Sequence, residues 1–155
     1  MAYDEIMYEV ADRVATVTLN RPAKLNAWTR HMEQEVRAAM TEAERDDNVR
    51  VIILTGAGRG FCAGADMQML NSVAGSKRSE AELRQSLADW LSDSKRPGVR
   101  ADFQKTYSYF PSIAKPILAA VNGPTAALAW SLRSTAIYAS PPTRPSSARL
   151  SPAAD

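Results

Sequence analysis

Small residues follow an apolar run and a glycine-rich turn in the middle of the chain. The run spans 51–54, the turn 56–60 contains three glycines, and residues 60–67 read Gly-Phe-Cys-Ala-Gly-Ala-Asp-Met. Residues 63–65 have no side chain large enough to keep a ligand away from the backbone.

Backbone N–H groups aimed at an oxygen in a dry site stabilise negative charge on it, at roughly 3–4 kcal/mol per donor. A short helix after residue 65 would add its positive N-terminal end. The segment is a candidate oxyanion-binding loop.

Three other side chains could do chemistry, and each has a simpler interpretation. Cys62 is the one cysteine and has no partners at metal-ligand spacing, so we interpret it as a small buried hydrophobe. His31, the one histidine, is expected near the solvated start of a helix and not as a catalytic base. Asp66 is expected to begin a helix and not to carry a proton. From these patterns we expect no metal, zinc or redox site.

The composition indicates one compact domain. A chain of 155 residues with 45% hydrophobic content can bury roughly 70% of its extended surface. Its 19 basic and 17 acidic side chains are mixed along the chain, which disfavours a nucleic-acid binder and leaves a polyanionic cofactor possible. The N-terminus has no signal-peptide pattern, and no apolar stretch approaches the ~20 residues that span a bilayer. We expect a cytoplasmic protein that contacts neither nucleic acid nor membrane.

The first fifty residues predict a hairpin followed by an amphipathic helix. Residues 6–10 and 14–19 are β-rich runs around the turn Asp12-Arg13. Thr29 is a suitable N-cap for a helix that reaches about Asp46. The apolar side chains that recur at helical spacing and should pack on the sheet are Met32, Val36, Ala39, Met40 and Ala43.

Two later apolar runs predict buried strands. Residues 51–54 have the β-branched character of a strand covered on both faces, and 117–121 form a similar run. We expect these runs to be adjacent strands of one sheet. Between them we expect a short amphipathic piece at 65–71 and a helix opened by the capping box 79–82. A third helix should carry the aromatic residues Phe103, Tyr107 and Phe110.

The composition changes at Ala126. Residues 126–155 contain eight Ala, six Ser, four Pro and three Arg, with no Gly or Glu. Because little periodic apolar pattern remains, we expect 1–125 to hold the ordered core and 126–155 to form a poorly ordered tail. GC-rich codons encode these four residue types, so one hypothesis is an out-of-frame reading from about codons 125–127. A genuine terminus of the same composition is the alternative.

Three blocks of the sequence together resemble the crotonase family of enoyl-CoA hydratases and isomerases. They are 19–27 (Leu-Asn-Arg-Pro-Ala-Lys-Leu-Asn-Ala), 60–67, and 115–124 (Lys-Pro-Ile-Leu-Ala-Ala-Val-Asn-Gly-Pro), and the resemblance covers about residues 3–125. It implies an α/β fold built as a ββα superhelix, here truncated, in chains that form trimers or hexamers. It also implies chemistry through an enolate-like intermediate of an acyl-CoA, with coenzyme A as part of the substrate and no permanently bound cofactor.

The resemblance implies roles for individual residues. The N–H groups of Ala65 and Leu128 would be the two oxyanion donors. The residues that resemble positions beside coenzyme A are Lys24, Leu25, Ala63, Ala65, Asp66, Met67 and Gln68.

The chain departs from the family pattern after residue 124. Leu128 lies in a stretch without the family's glycines, and Ser131 and Ser151 occupy the positions expected for the two catalytic glutamates. Because no glutamate follows Glu82, general acid–base catalysis would lose its agents.

These departures leave three hypotheses. The first is an acyl-CoA enzyme of the hydratase and isomerase type, shortened and impaired. The second is a non-catalytic CoA-binding or interaction protein derived from such an enzyme. The third, a Rossmann-like nucleotide binder, rests only on the run 51–54 and its glycines, and Phe61 stands where the third glycine of that motif belongs.

Overall fold

A computed structural model describes residues 2–67 and 109–126 and the backbone of 137–139. Within these ranges, strands join into a single sheet in the order β1-β2-β3-β4-β5. The elements are β1 (Ile6–Ala11), β2 (Val14–Leu19), α1 (Arg30–Arg45), β3 (Val51–Gly56), β4 (Ile117–Ala120) and β5 (Ile137–Ala139), with 3₁₀ helices at Pro22–Lys24 and Phe110–Ser112. No helix in the described ranges is long and apolar enough to cross a membrane.

The predicted hairpin is confirmed. β1 and β2 pair antiparallel, and the turn residues Asp12 and Arg13 have φ values of 49° and 67°. Positive φ at both turn positions matches the right-handed twist of the flanking strands. Along β2 the apolar alternation places Ala15, Val17 and Leu19 in the core at 0% exposure. The alternation of apolar residues therefore predicts both the strand β2 and the face of it that is buried.

The predicted helix is also confirmed. Thr29 precedes α1 with an extended backbone, and its Oγ1 accepts the Met32 N–H at 2.9 Å. All five apolar residues expected on the sheet-facing side are fully buried, and α1 contacts β1 and β2. Since burying a Met or Val side chain contributes about 1.5–3 kcal/mol, this face contributes much of the helix's stability.

Three strands continue the sheet in parallel. β2 pairs with β3 and β3 with β4, as predicted for the two apolar runs. The register places Val17 beside Leu54 and Leu54 beside Ala119, and all three side chains are buried. The core is therefore a continuous apolar row across the strands on the face that also receives α1.

One expectation differs from the structure. The run 51–54 was expected to be covered on both faces, but only Ile52 and Leu54 are fully buried, while Val51 and Ile53 are partly exposed. Successive side chains of a strand point to opposite faces, and Ile52 and Leu54 lie on the face that receives α1. Within the segment 126–155, β5 pairs in parallel with β4. Three residues are too few for periodicity to identify a strand.

Other predicted elements fall partly or wholly outside the described residues. Phe110 begins a 3₁₀ helix and is 3% exposed. The helix opened at 79–82, most of the piece at 65–71, and the aromatic residues Phe103 and Tyr107 lie outside the described ranges.

The N-cap yields a test of the helix start. We expect Thr29→Ala to lower the free energy of unfolding by about 1 kcal/mol, because the Met32 N–H loses its acceptor. Thr29→Ser keeps the oxygen and should stay within a few tenths of a kcal/mol of the parent. Urea denaturation of the three proteins measures the difference, and equal stability of parent and alanine variant would contradict the cap assignment.

Candidate active site

The three family-like blocks meet at the carboxyl ends of β2, β3 and β4. The middle block bonds to the first through Ala63 N–H to Leu25 O (2.9 Å), and Trp28 N–H donates to Gly64 O at 2.7 Å. On its other side, Phe61 N–H donates to Pro124 O at 3.2 Å. Because adjacent parallel strands end at the same edge of a sheet, segments distant in sequence form one loop cluster here.

A buried asparagine ties the first block to the glycine-rich turn. Asn26 is 0% exposed and has a left-handed backbone with φ 55°. Its Nδ2 donates to Ala57 O at 3.0 Å and to Gly60 O at 2.8 Å, while its Oδ1 accepts the Arg21 N–H at 2.9 Å. Each of these partners would be costly to leave unpaired in the core, so the amide fixes the turn's position.

A second asparagine holds the same turn from the opposite side. Asn122 Nδ2 donates to Gly56 O at 2.7 Å and to Gly58 O at 2.9 Å. The next residue must be small, because a Cβ on Gly123 would lie 2.1 Å from the Arg59 carbonyl oxygen. This contact explains why glycine follows Asn122 in the third block.

The loop cluster encloses a cavity of about 330 Å³. Its lining residues are Arg21, Lys24, Ala27, Ala63, Ala65, Asp66 and Met67. Five of them were expected from the sequence. Leu25, also expected, lies beneath the loop: its carbonyl accepts the Ala63 N–H and its side chain packs against Gly60. Gln68 and Leu128 lie outside the described residues.

The backbone direction at Ala65 follows from its bridge to Trp28. Trp28 N–H donates to Gly64 O, and Asp66 N–H donates to Trp28 O at 2.9 Å. In such a parallel bridge the intervening residue's own N–H points to the opposite side. Within the described part of the chain, no group accepts the Ala65 N–H. Gly64, with φ 96°, supplies the bend that precedes this donor.

Arg21 connects the cavity to the N-terminal segment. Its Nη1 donates to Ala27 O at 2.5 Å and to Asp66 Oδ2 at 3.0 Å, and its Nε lies 3.2 Å from Glu5 Oε1. Glu5 also accepts a hydrogen bond from the Thr29 hydroxyl. Asp66 is 7% exposed, and helical backbone follows it at Met67. The guanidinium therefore neutralises a buried carboxylate directly beside the Ala65 donor.

Sequence reasoning did not identify Arg21 and Ala27 as part of the site. Both lie inside the first block, but the turn-forming Asn-Arg-Pro sequence explains an arginine there without any ligand. The missing signal is the pairing of Arg21 with Asp66, which is 45 positions away in sequence.

Cys62 and His31 lie where the sequence suggested. Cys62 is fully buried, and burial raises the pKa of its thiol, an effect that the Gly64 N–H partly opposes. His31 is exposed near the start of α1, and neither side chain lines the cavity.

A family model described as enoyl-CoA hydratase/isomerase matches residues 9–138, which is most of the chain. The chain belongs to the enoyl-CoA hydratase/isomerase family. The match continues past residue 125, where the resemblance of the three blocks ended, and it reaches the first two residues of β5. The crotonase-type fold is thereby confirmed, and the Rossmann-like alternative is set aside.

Relatives and solved structures agree with this assignment. The chain is 34% identical to a probable enoyl-CoA hydratase of Mycobacterium bovis over 79% of its own length and 40% of the relative. It is 46% identical to the 1,2-epoxyphenylacetyl-CoA isomerase of Escherichia coli over 43% of its length and 25% of the relative. A crystal structure of an enoyl-CoA hydratase/isomerase from Mycobacterium paratuberculosis has 36% identity and a TM-score of 0.63, covering 90% of this chain and 46% of that one. The chain thus spans less than half the length of each of these proteins.

The Arg21 to Asp66 pair can be tested by a double-mutant cycle. We expect Arg21→Met to lower the free energy of unfolding by about 2 kcal/mol, somewhat below the cost of breaking a fully buried pair. Asp66→Asn on that background should recover part of the loss, because it removes the uncompensated buried charge. Denaturant unfolding of the parent, both single variants and the double variant gives the coupling energy. Additive effects would show that the two side chains do not interact.

Proposed function

We propose that this chain binds an acyl-CoA thioester in the 330 Å³ cavity and polarises its carbonyl group through the Ala65 N–H. The observation that carries the proposal is the direction of this N–H, which the Trp28 bridge turns away from its neighbours and which no described group accepts. Membership of the enoyl-CoA hydratase/isomerase family supports the ligand class.

The geometry suits a developing oxyanion in three ways. Ala63 and Ala65 carry only methyl groups on the cavity wall, so a thioester can approach the backbone closely. The left-handed backbone of Gly64, with φ 96°, supplies the bend that precedes this donor. Arg21 pairs with Asp66 and so weakens the repulsion between this carboxylate and the developing negative charge. A preorganised donor in such a site stabilises the enolate more than the ground-state carbonyl, which is the requirement for catalysis.

Other parts of the ligand would contact the surrounding residues. Lys24 is exposed at the rim of the cavity and supplies a positive charge for the phosphates of coenzyme A. Leu128 remains the proposed second donor, and Gln68 remains a proposed contact of the coenzyme. Coenzyme A would enter as part of the substrate and not as a resident cofactor. Hydration or isomerisation of the acyl group, and assembly into trimers, are proposals taken from the family resemblance.

A second candidate function is binding without turnover. It is favoured by the serines at 131 and 151, where the family resemblance implies glutamates, since water activation in a hydratase requires a base. Under this alternative the chain keeps the thioester site but releases its ligand unchanged.

Replacing Ala65 with proline tests the proposed donor. Proline has no N–H, so we expect Ala65→Pro to abolish the red shift of a bound chromophoric acyl-CoA while sparing much of the CoA affinity. Ala65→Gly keeps the N–H and should retain the shift. Visible absorption and CoA titration provide the two readouts. An unchanged red shift in the proline variant would remove Ala65 from the mechanism.

The two candidate functions differ in turnover. We expect the purified chain to bind acyl-CoA and to hydrate crotonyl-CoA negligibly, because a serine hydroxyl without a base is a poor proton carrier. Binding is measured by calorimetry and hydration by loss of the enoyl absorbance. Robust hydration would contradict this prediction and favour the catalytic function, with its carboxylates at positions other than 131 and 151.

A further inference from the structure

A second group of chemically competent side chains lies outside the cavity, where the N-terminal segment crosses the start of α1. Asp4, His31 and Glu35 place one carboxylate oxygen, one imidazole nitrogen and a second carboxylate oxygen within 4.8 Å of one another. His31 and Glu35 are four residues apart on α1 and share one helix face. None of the three lines the acyl-CoA cavity.

Glu35 is held in place by the backbone of the N-terminal segment. It is 8% exposed, its Oε1 accepts the Asp4 N–H at 2.7 Å, and its Oε2 accepts the Glu5 N–H at 2.8 Å. These bonds fix the carboxylate and also bring the backbone of Asp4 to the helix. Carboxylates that bind metals are commonly oriented by such outer hydrogen bonds.

The distances at His31 are compatible with a metal site. His31 Nε2 lies 3.4 Å from Asp4 Oδ2 and 3.2 Å from Glu35 Oε1, which are long for charge-assisted hydrogen bonds of about 2.7–2.9 Å. Ligand atoms at zinc-bond length in a tetrahedral site are about 3.3–3.6 Å apart. The observed separations are close to two edges of that tetrahedron.

We propose that Asp4, His31 and Glu35 bind a divalent transition-metal ion of the zinc class, with water completing its coordination. One imidazole with two carboxylates suits Zn²⁺ or Co²⁺, whereas Mg²⁺ retains its own water shell. The ion would fasten the N-terminal segment to α1. The sequence did not suggest this site because Asp4 is remote from the other two ligands along the chain.

The metal ion would bind outside the cavity, but a chain of hydrogen bonds and ion pairs connects its ligands to the cavity wall. Glu35 holds the Glu5 N–H, and the Glu5 carboxylate contacts Arg21, which in turn holds Asp66. A bound ion would therefore stabilise the support of the cavity wall even if no acyl-CoA binds there. The proposal does not depend on the proposed function.

The experiment uses the full chain without an affinity tag, freed of metal by a chelator and then titrated with ZnCl₂ in a calorimeter. The chain has one histidine and one cysteine, and Cys62 is buried, so imidazole ligation reports on His31 alone. We expect one Zn²⁺ per chain, a higher unfolding temperature with Zn²⁺, and no effect of MgCl₂. Co²⁺ should give visible d–d absorption bands.

Variants separate this site from weak surface binding. His31→Asn and Asp4→Asn should each weaken Zn²⁺ binding at least about tenfold, the scale of loss known even for outer-shell changes. Asp47→Asn removes another exposed carboxylate, beyond the end of α1, and should bind like the parent. The unfolding temperature in chelator shows that each variant folds. No Zn²⁺ binding by the parent, or equal binding by the parent and either ligand variant, would overturn the proposal.

Discussion

Parallel pairing of β2, β3 and β4 is the constraint on which the rest of the site depends. Parallel strands require long crossover connections, so the chain must travel through α1 between β2 and β3 before it returns to the sheet. The consequence is that β2, β3 and β4 all leave the sheet at the same edge. The first family-like block begins at the end of β2, the second follows the turn after β3, and the third ends just beyond β4, so the three blocks meet although they are widely separated in sequence.

Where the three loops meet, backbone carbonyl groups need hydrogen-bond donors, and two asparagine side chains supply them. The glycine-rich turn after β3 contributes backbone carbonyls that no strand or helix can pair. Asn26 reaches two of them from one side and Asn122 reaches two from the other. An aspartate at either position would present oxygens to oxygens, and a larger aliphatic side chain would leave the carbonyls unpaired. The physical role of these residues is to fix the turn, so that the loop after it can hold a donor in one direction.

The sequence predicts the individual strands and the helix well because their apolar residues recur at short, regular spacings. The alternation in β2 and the helical spacing in α1 each identify a buried face, and both faces are confirmed. The small residues at 63–65 likewise indicate the loop that lines the cavity. Periodicity cannot predict contacts between distant residues, which is why Arg21 was not assigned to Asp66 and Asp4 was not assigned to His31. It also gives no information about β5, whose three residues pair in parallel with β4.

Charge placement connects the fold to the proposed chemistry. A carboxylate next to an oxyanion donor would ordinarily raise the energy of an enolate, since two negative charges would share a poorly solvated region. Asp66 occupies such a position, but its partner Arg21 is also anchored by Glu5 and by the Ala27 carbonyl. The guanidinium is planar and permanently charged, so it satisfies three oxygens in fixed directions. The cavity wall therefore combines an acid paired with a rigid cation and an N–H that faces away from Trp28, which is the arrangement that the proposed polarisation of a thioester requires.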